Sequence, residues 1–311
     1  MNNKGSSETT REASVSHFNL QPFYESLTSF NQNLPPSFLE WFIGFTEGDG
    51  SFQLAQSPKG RNTSRPVFTI NQAEPEILYT IKRSFGFGIV TKVAASKNVN
   101  QHYRYRVYKL AHIRQLILLF GDNLQLKKVV LRFLPWVESY NSLCDSNQHQ
   151  PILGLCKTLS FHLNLNSAWL AGFTDAEGCF YVSLSETKKR TRLRYKFSIS
   201  QKGEKEVLEW IAGLITKDFS GKHVYIVKNK VDTYRLEFTG KAQLFTLVNY
   251  FDNYKLLSRK KRLVYVRWKR VLHRVAPSSK ETKAWKRYKR LIASVGKIRL
   301  QKKPEEMCFN G

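Results

Sequence analysis

The chain has 311 residues, of which 50 are lysine or arginine and 24 are acidic, so its formal net charge is +26. Apolar residues make up 41% of the sequence and aromatic residues 13%, which argues against a wholly disordered chain. The charge disfavours a small neutral molecule as the main ligand and favours a nucleic acid or an anionic membrane surface. No apolar run reaches the roughly 18 residues of a transmembrane helix.

The N-terminal segment, residues 1–33, is rich in Ser, Asn and Thr and lacks the apolar core of a secretory signal, so we interpret it as a flexible leader. The first motif helix is predicted to start after Pro35 and Pro36, with Ser37 as its N-cap, because proline is excluded from helix interiors. It carries the motif WFIGFTEGDGSF (41–52) and is predicted to end at Gly50, since glycine favours the C-terminal turn of a helix.

The elements that follow are predicted from alternation and amphipathic spacing. Phe52 and Leu54 alternate with polar residues, which is the period of a strand with one face toward a core. A second strand contains FTINQ (68–72), and an amphipathic helix, two more strands and an apolar helix near 112–121 come after it.

The same order of elements recurs in the second half of the chain. WLAGFTDAEGCF (169–180) repeats the first motif and FSISQ (197–201) repeats FTINQ, with Asn166 or Ser167 as the predicted N-cap of the second motif helix. Each repeat therefore reads helix, strand, strand, helix, strand, strand, helix. Residues 255–303 hold 19 lysines and arginines against one acid, and their apolar spacing predicts two amphipathic basic helices.

These patterns predict five segments along the chain. They are the leader (1–33), a first repeat (34–142), a polar linker (143–164), a second repeat (165–275) and a basic C-terminal extension (276–311).

The two motifs resemble those of the LAGLIDADG homing endonucleases, in the form that carries both motifs on one chain. The resemblance covers about residues 37–275 and departs at Phe42 and Ile43, which replace Leu and Ala. It implies an α+β fold in which two pseudo-symmetric αββαββα repeats form a saddle of antiparallel sheets, with the two motif helices packed at the repeat interface.

The motif helices carry small residues at a spacing of four, which favours close packing. Gly44 with Gly48 and Gly172 with Ala176 would let two helix backbones approach each other. The first acids of the motifs, Glu47 and Asp175, point elsewhere on the helix, and we expect them to be structural.

Close packing would bring the C-terminal acids Asp49 and Glu177 together. Two carboxylates at the negative ends of two helices repel each other, and divalent cations relieve that repulsion. Oxygen ligands suit Mg²⁺, with Ca²⁺ or Mn²⁺ able to substitute for binding. The resemblance implies the metal role, and the predicted metal site comprises Asp49, Glu177, Gly48 and Ala176. The alternative is a pair of core helices ended by capping turns.

Further site residues follow from the resemblance. Gln72 and Gln201 stand where the family often has a polar residue that orders water, although a solvent-facing glutamine at a strand end is the alternative. A basic residue after the last helix of each repeat would stabilise charge on a phosphate. We select Lys127 and Arg259 as catalytic candidates, but the sequence leaves open which residue of Lys127-Lys128 and of Arg259-Lys260 points inward.

The polar faces of the predicted sheets suit the major groove of DNA, which admits a two-stranded ribbon. The candidate DNA-binding residues alternate along the strands or lie at the hairpin tip ETKKRTR (186–192). They are Gln53, Arg65, Thr69, Arg104, Arg106, Ser183, Lys188, Lys189, Arg190, Arg192, Arg194, Lys196, Lys228 and Arg235.

The favoured interpretation is a monomeric, site-specific endonuclease that hydrolyses both strands of a long, non-palindromic DNA target. The alternative is an intron RNA maturase whose partner is its host intron, because the basic tail also suits an RNA backbone. No membrane partner is expected. The resemblance further implies an intron-encoded product of an organelle, most simply the mitochondrion, with the chloroplast as the alternative.

Overall fold

The computed structural model describes residues 18–27, 34–56, 64–96, 100–144, 149–155, 163–186, 191–216, 224–230, 232–274 and 282–297. In these residues the chain is an α+β protein with two four-stranded antiparallel sheets. None of the helices in the described ranges has the length and apolar character needed to cross a bilayer.

The first repeat follows the predicted order of elements. After the short helix α1 (Gln21–Glu25) come α2 (Pro36–Asp49), β1 (Gly50–Gln56), β2 (Ser64–Gln72), α3 (Glu76–Phe85), β3 (Ile89–Val93), β4 (His102–Val107) and α4 (Leu110–Phe120). The strands pair in the order β1-β2-β4-β3. Two helices were not foreseen from the sequence. Helix α1 lies in the segment interpreted as a flexible leader and buries Phe23, and helix α5 (Lys127–Asn141) packs on β1 and β2.

The second repeat has the same architecture. Its elements are α6 (Trp169–Glu177), β5 (Gly178–Glu186), β6 (Thr191–Lys202), α7 (Lys205–Ile215), β7 (Val224–Lys230), β8 (Thr233–Phe238) and α8 (Lys241–Asn253). The strand order is β5-β6-β8-β7, which reproduces the order of the first sheet. The predicted twofold repeat is therefore confirmed.

Equivalent aromatic residues fill the two cores. In the first repeat, Phe52 packs within 5.7 Å of Phe68, Phe120, Phe133 and Trp136, measured between ring centroids. In the second repeat, Phe180 makes the same set of contacts within 5.7 Å. Its partners are Phe197, Phe251, Tyr265 and Trp268. Aromatic pairs at such distances add about 0.5–1.5 kcal/mol each beyond the burial of their area.

Two basic helices follow α8, as predicted for residues 255–303. Helix α9 (Arg259–His273) corresponds to α5, and α10 (Lys283–Lys297) packs against α9 and β5. Helix α10 buries Trp285, Tyr288 and Ile292, while Lys286 and Arg290 are exposed on its other side. The helix therefore contributes both to the core and to the basic surface.

The predicted N-caps of the motif helices are wrong. Helix α2 begins at Pro36 with Pro35 as its N-cap, which leaves Ser37 inside the helix. Helix α6 begins at Trp169, after both predicted N-cap residues. Its first free amides are instead satisfied from elsewhere in the fold, because Glu40 of α2 accepts the Ala168 N–H at 2.8 Å.

Candidate metal centre and nucleic-acid interface

The motif helices α2 and α6 pack with their backbones in contact. A Cβ atom placed on Gly44 would lie 2.1 Å from the main-chain oxygen of Trp169, and one on Gly172 would lie 1.8 Å from that of Trp41. Both distances are far shorter than a van der Waals contact. Only glycine is compatible with so close a crossing, which confirms the reason given for these small residues.

The close crossing brings the C-terminal ends of both helices together. A Cβ atom on Gly48 would lie 2.3 Å from the Ala176 Cβ, 3.0 Å from the Glu177 Cγ and 3.6 Å from the Glu177 Oε1. Asp49 is the next residue and the last of α2, as Glu177 is the last of α6, and both are half-buried. The two carboxylates therefore sit at adjacent negative helix ends.

Main-chain oxygens accompany the two carboxylates. The amide of Gly50 bonds to the Thr46 oxygen and that of Gly178 to the Thr174 oxygen, after which each chain turns into a strand. The carbonyls of the last helical turn, which include those of Gly48 and Ala176, have no partner within the helix. In the described residues, no cluster of three or more His, Cys, Asp or Glu side chains could bind a metal by itself.

The two candidate water-ordering glutamines have different partners. The Gln72 Nε2 donates to the Asp49 Oδ2 at 2.7 Å. Gln201 is only 3% exposed, and its Oε1 accepts the ammonium of Lys128. Gln72 is the last residue of β2 and Gln201 the last but one of β6, and neither is simply solvent-facing.

The basic residues at the starts of α5 and α9 differ in where their side chains lie: some face solvent and others contact the other repeat. Lys127 and Arg259, the two selected candidates, are exposed. Their neighbours turn inward, because one helical residue rotates the side-chain direction by about 100°. Lys128 contacts Gln201, and Lys260 forms an ion pair with Glu74 of the first repeat. We therefore propose Lys128 and Lys260, in place of Lys127 and Arg259, as the catalytic candidates.

The first acid of the first motif, Glu47, binds the two repeats together. It is 1% exposed and accepts the Trp169 Nε1–H of the other motif helix at 2.6 Å. Its other oxygen accepts the N–H groups of Gln125 and Leu126, just before α5, at 2.6 and 2.7 Å. Burial raises the pKa of Glu47 to about 8, against the lowering effect of these donors.

Asp175 repeats this arrangement in the second motif. Its Oδ2 accepts the Trp41 Nε1–H at 2.9 Å and the N–H groups of Leu257 and Ser258, just before α9, at 2.7 and 3.3 Å. Burial raises the pKa of Asp175 to about 7. The buried acids thus fix the starts of α5 and α9 relative to the motif helices.

Most of the candidate DNA-binding residues of the first sheet share one face. The register pairs Thr69 with Arg106 and Asn71 with Arg104, and the row continues with Gln53 and Arg65. Gln53, Arg65 and Arg106 are exposed and Arg104 is half-buried. Thr69 is 1% exposed, so it offers no surface to a base edge and we omit it from the proposed interface.

The second sheet has a corresponding row. Ser183 pairs with Arg194, Arg192 and Arg194 are exposed, and Lys196 and Arg235 form ion pairs with Glu237 at 2.9 and 3.0 Å. The side chain of Lys228 is not among those that the structure describes, so its place in the interface stays a prediction. The predicted hairpin residues lie outside the described ranges. They are Lys188, Lys189 and Arg190.

Two αββαββα repeats joined by backbone-packed motif helices, with paired carboxylates between two basic sheet faces, define a two-motif nuclease fold. The chain belongs to the LAGLIDADG endonuclease family, whose family model matches residues 42–140 and 170–272. The two matched regions contain both sheets and all but the first residue of each motif.

Curated relatives of the chain are named as intron-encoded endonucleases. A probable intron-encoded endonuclease 4 of Neurospora crassa is 33% identical over 232 residues, which is 73% of this chain and 38% of that protein. A probable intron-encoded endonuclease Cox1-I1b of Schizosaccharomyces pombe is 27% identical over 257 residues, which is 76% of this chain. The chain spans 65% of the S. pombe protein.

Solved meganuclease structures share the fold at low identity. The LAGLIDADG meganuclease I-CpaMI bound to uncleaved DNA superposes with a TM-score of 0.59 at 16% identity, over 85% of this chain and 99% of that one. I-SmaMI bound to uncleaved DNA in the presence of calcium ions gives a TM-score of 0.58 at 16% identity, over 83% and 98% of the two chains.

Proposed function

We propose that the chain is a divalent-metal-dependent endonuclease that cleaves both strands of a DNA duplex at one specific site. The observation that carries this proposal is the meeting of Asp49 and Glu177 at the ends of α2 and α6. Strands β1 and β5 begin at the residues directly after these acids. A duplex that contacts both sheets would therefore pass over the two carboxylates.

The donor groups fit a hard divalent cation such as Mg²⁺. Two carboxylates and the carbonyls of the last helical turns offer oxygen atoms alone, which suits Mg²⁺ and admits Ca²⁺ or Mn²⁺. Asp49 and Glu177 would hold the metal, with Gly48 and Ala176 contributing main-chain oxygens. When bound, the metal would polarise the phosphate and activate water.

The surrounding residues would orient water and balance charge. Gln72, which donates to Asp49, keeps its amide oxygen for a water molecule beside that carboxylate. The ammonium group of Lys128 contacts Gln201, the second glutamine. From there it would stabilise the negative charge that develops on a phosphate. The role of Gln72 is assigned from its bond to Asp49, and those of Lys128 and Gln201 from their contact with each other and from the place of Gln201 in the second repeat.

The two sheet faces would bind unlike half-sites. The first presents Gln53, Arg65 and Arg106, whereas the second presents Ser183 and two arginines. Because these rows differ in residue type and spacing, a single chain would recognise a long target that is not a palindrome. We further propose that the chain acts as a monomer in a mitochondrion, since the curated relatives are named as intron-encoded, one of them within cox1.

The test is cleavage of a plasmid that carries the uninterrupted host-gene junction, with and without Mg²⁺. We expect Mg²⁺-dependent linear product from the natural chain. Asp49→Asn and Glu177→Gln should each lower the cleavage rate by at least about 100-fold, because an interaction with the reacting phosphate is lost. Their affinity for the uncleaved duplex should stay within a few-fold.

The matched control is Glu138→Gln, which removes one exposed acid on α5, away from the helix pair. It should cleave like the natural chain. Full cleavage by Asp49→Asn, or equal losses of cleavage in all three variants, would contradict the assignment of the acids.

A further inference from the structure

Helix α10 lies behind the hairpin that β5 and β6 form in the second sheet. It packs against β5 and α9, and its side chains Trp285 and Tyr288 are buried in the hydrophobic core. Because side chains alternate along a strand, the hairpin turns one row of residues toward α10 and the other row away from it. The row on the side of α10 includes Val182 and Tyr195, which are paired in the backbone register.

Two contacts hold the outer part of this hairpin on α10. The hydroxyl groups of Tyr195 and Tyr288 lie 3.5 Å apart, and the Tyr195 hydroxyl donates to the Val271 carbonyl of α9 at 3.4 Å. Glu186 is the last residue of β5, and its carboxylate forms an ion pair with the Lys289 ammonium at 2.5 Å. Helix α10 is therefore joined both to the middle of the hairpin and to the end of its first strand.

The corresponding part of the first repeat is more exposed. Leu54 is the fifth residue of β1, as Val182 is the fifth residue of β5. Leu54 is 46% exposed, whereas Val182 is 7% exposed. Among the described helices, those of the first repeat include no counterpart of α10. The difference in exposure is the one expected when a helix covers the back of only the second hairpin.

The row that turns away from α10 carries candidate contacts to DNA. Ser185 pairs with Arg192 in the backbone register, and Arg194 lies two residues further along β6. Both arginines are exposed. A two-stranded hairpin is only marginally stable in water without further packing, so its outer end needs support if these side chains are to keep fixed positions. Side chains that are already held in place lose less conformational entropy on binding.

We propose that Tyr288 and Lys289 are positioning residues that hold the outer end of the second hairpin on DNA, and so set how far the second half-site extends. They act through Tyr195 and Glu186, on the face of the hairpin that lies away from the duplex. The last two residue pairs of the hairpin span roughly 7 Å at about 3.4 Å per residue, which equals about two base-pair steps. This inference rests on the proposed endonuclease function.

The test is a quantitative hydroxyl-radical footprint on a duplex that carries the uninterrupted host-gene junction, with Ca²⁺ in place of Mg²⁺. We expect Tyr288→Ala to lose protection of about two base pairs at the outer end of one half-site. Its affinity for the duplex should fall about 10-fold, the size of one charge-assisted hydrogen bond. Protection of the other half-site should be unchanged, a result that a general loss of folding would not give.

Two lysine variants separate support of the hairpin from a direct contact between α10 and DNA. Lys289→Gln and Lys286→Gln each remove one positive charge from α10, and Lys289 is the one that pairs with Glu186. Because that ion pair is partly exposed, Lys289→Gln should weaken protection at the same outer end by about two-fold. Lys286→Gln should leave the footprint unchanged.

Three results would overturn the inference while the endonuclease function stands. They are a full footprint with Tyr288→Ala, a full footprint with Lys289→Gln, and the same loss of protection with Lys286→Gln as with Lys289→Gln. Absence of Mg²⁺-dependent cleavage at this junction by the natural chain would instead contradict the proposed function.

Discussion

Replacing Gly172 by alanine would place a methyl group 1.8 Å from the main-chain oxygen of Trp41 and 2.8 Å from the Phe45 nitrogen. These are backbone atoms of a packed helix, so they cannot rotate away as a side chain would. Ordinary contact begins at 3.4 Å, and α2 and α6 would have to separate by roughly 1.6 Å to restore it. Such overpacking typically costs about 1–3 kcal/mol and sometimes more.

The cost of overpacking is partly offset by the higher helix propensity of alanine compared with glycine. An alanine in a helix is favoured over glycine by about 1 kcal/mol. Because the atoms in the way belong to the backbone, we place the overpacking cost at about 3 kcal/mol or above, and after the alanine preference is subtracted the free energy of unfolding should fall by about 2 kcal/mol or more, measured by urea denaturation. The separated helices would also displace Glu177 from Asp49, and a shift of about 1 Å can lower a reaction rate about 100-fold.

Gly213 provides the matched control. It lies within α7, and an added Cβ atom there would meet nothing within 4 Å. Gly213→Ala should therefore stabilise the protein by up to about 1 kcal/mol and leave cleavage unchanged. If Gly172→Ala were as stable as Gly213→Ala, the backbone contact between the motif helices would not be the constraint described here.

Two more predictions concern the buried acids and the sheet faces. Because the folded pKa of Glu47 is raised from 4.5 to about 8 and that of Asp175 from 3.8 to about 7, the folded state holds protons that the unfolded chain releases. The stability they contribute is complete below the unfolded pKa values and is lost as pH rises through the folded ones. The free energy of unfolding should thus fall by roughly 1–2 kcal/mol from pH 7 to pH 9, and Glu47→Gln should flatten most of that slope; a rise over this interval would refute the assignment. On the second sheet, replacing both Arg192 and Arg194 by glutamine should reduce the slope of log K against log[salt] by about 1.8, whereas Lys241→Gln on α8 should not change it.

The repeated architecture was accessible from the sequence because it rests on local patterns. The period of Phe52 and Leu54, the recurrence of FTINQ as FSISQ and the glycine spacing of the motif helices each predict a feature that the structure contains. These signals concern neighbours in the chain or copies of one segment, and short-range rules describe them well.

What the sequence left undetermined depends on contacts between the repeats. Ser37 is a good N-cap by its residue type, yet α2 starts one residue before it. Helix α6 receives its acceptor from Glu40, 128 residues away in the chain. The choice of Lys128 over Lys127 could not be made either, because it depends on the residue at which α5 starts. Aligning α5 with α9 would have revealed that helix and the shared positions of Lys128 and Lys260.

The hydrogen bonds between the two repeats limit how such a chain can be divided. Trp41 donates to Asp175 while Trp169 donates to Glu47, and Glu40 of the first repeat satisfies an amide at the start of α6. Either repeat on its own would lose these bonds and expose to water a carboxylate and a tryptophan that the interface buries. A gene split between the repeats would therefore encode two fragments that become stable only together. Substitutions on one side of this interface are then constrained by the other side, even though the sheets beyond it remain able to diverge toward new DNA sequences.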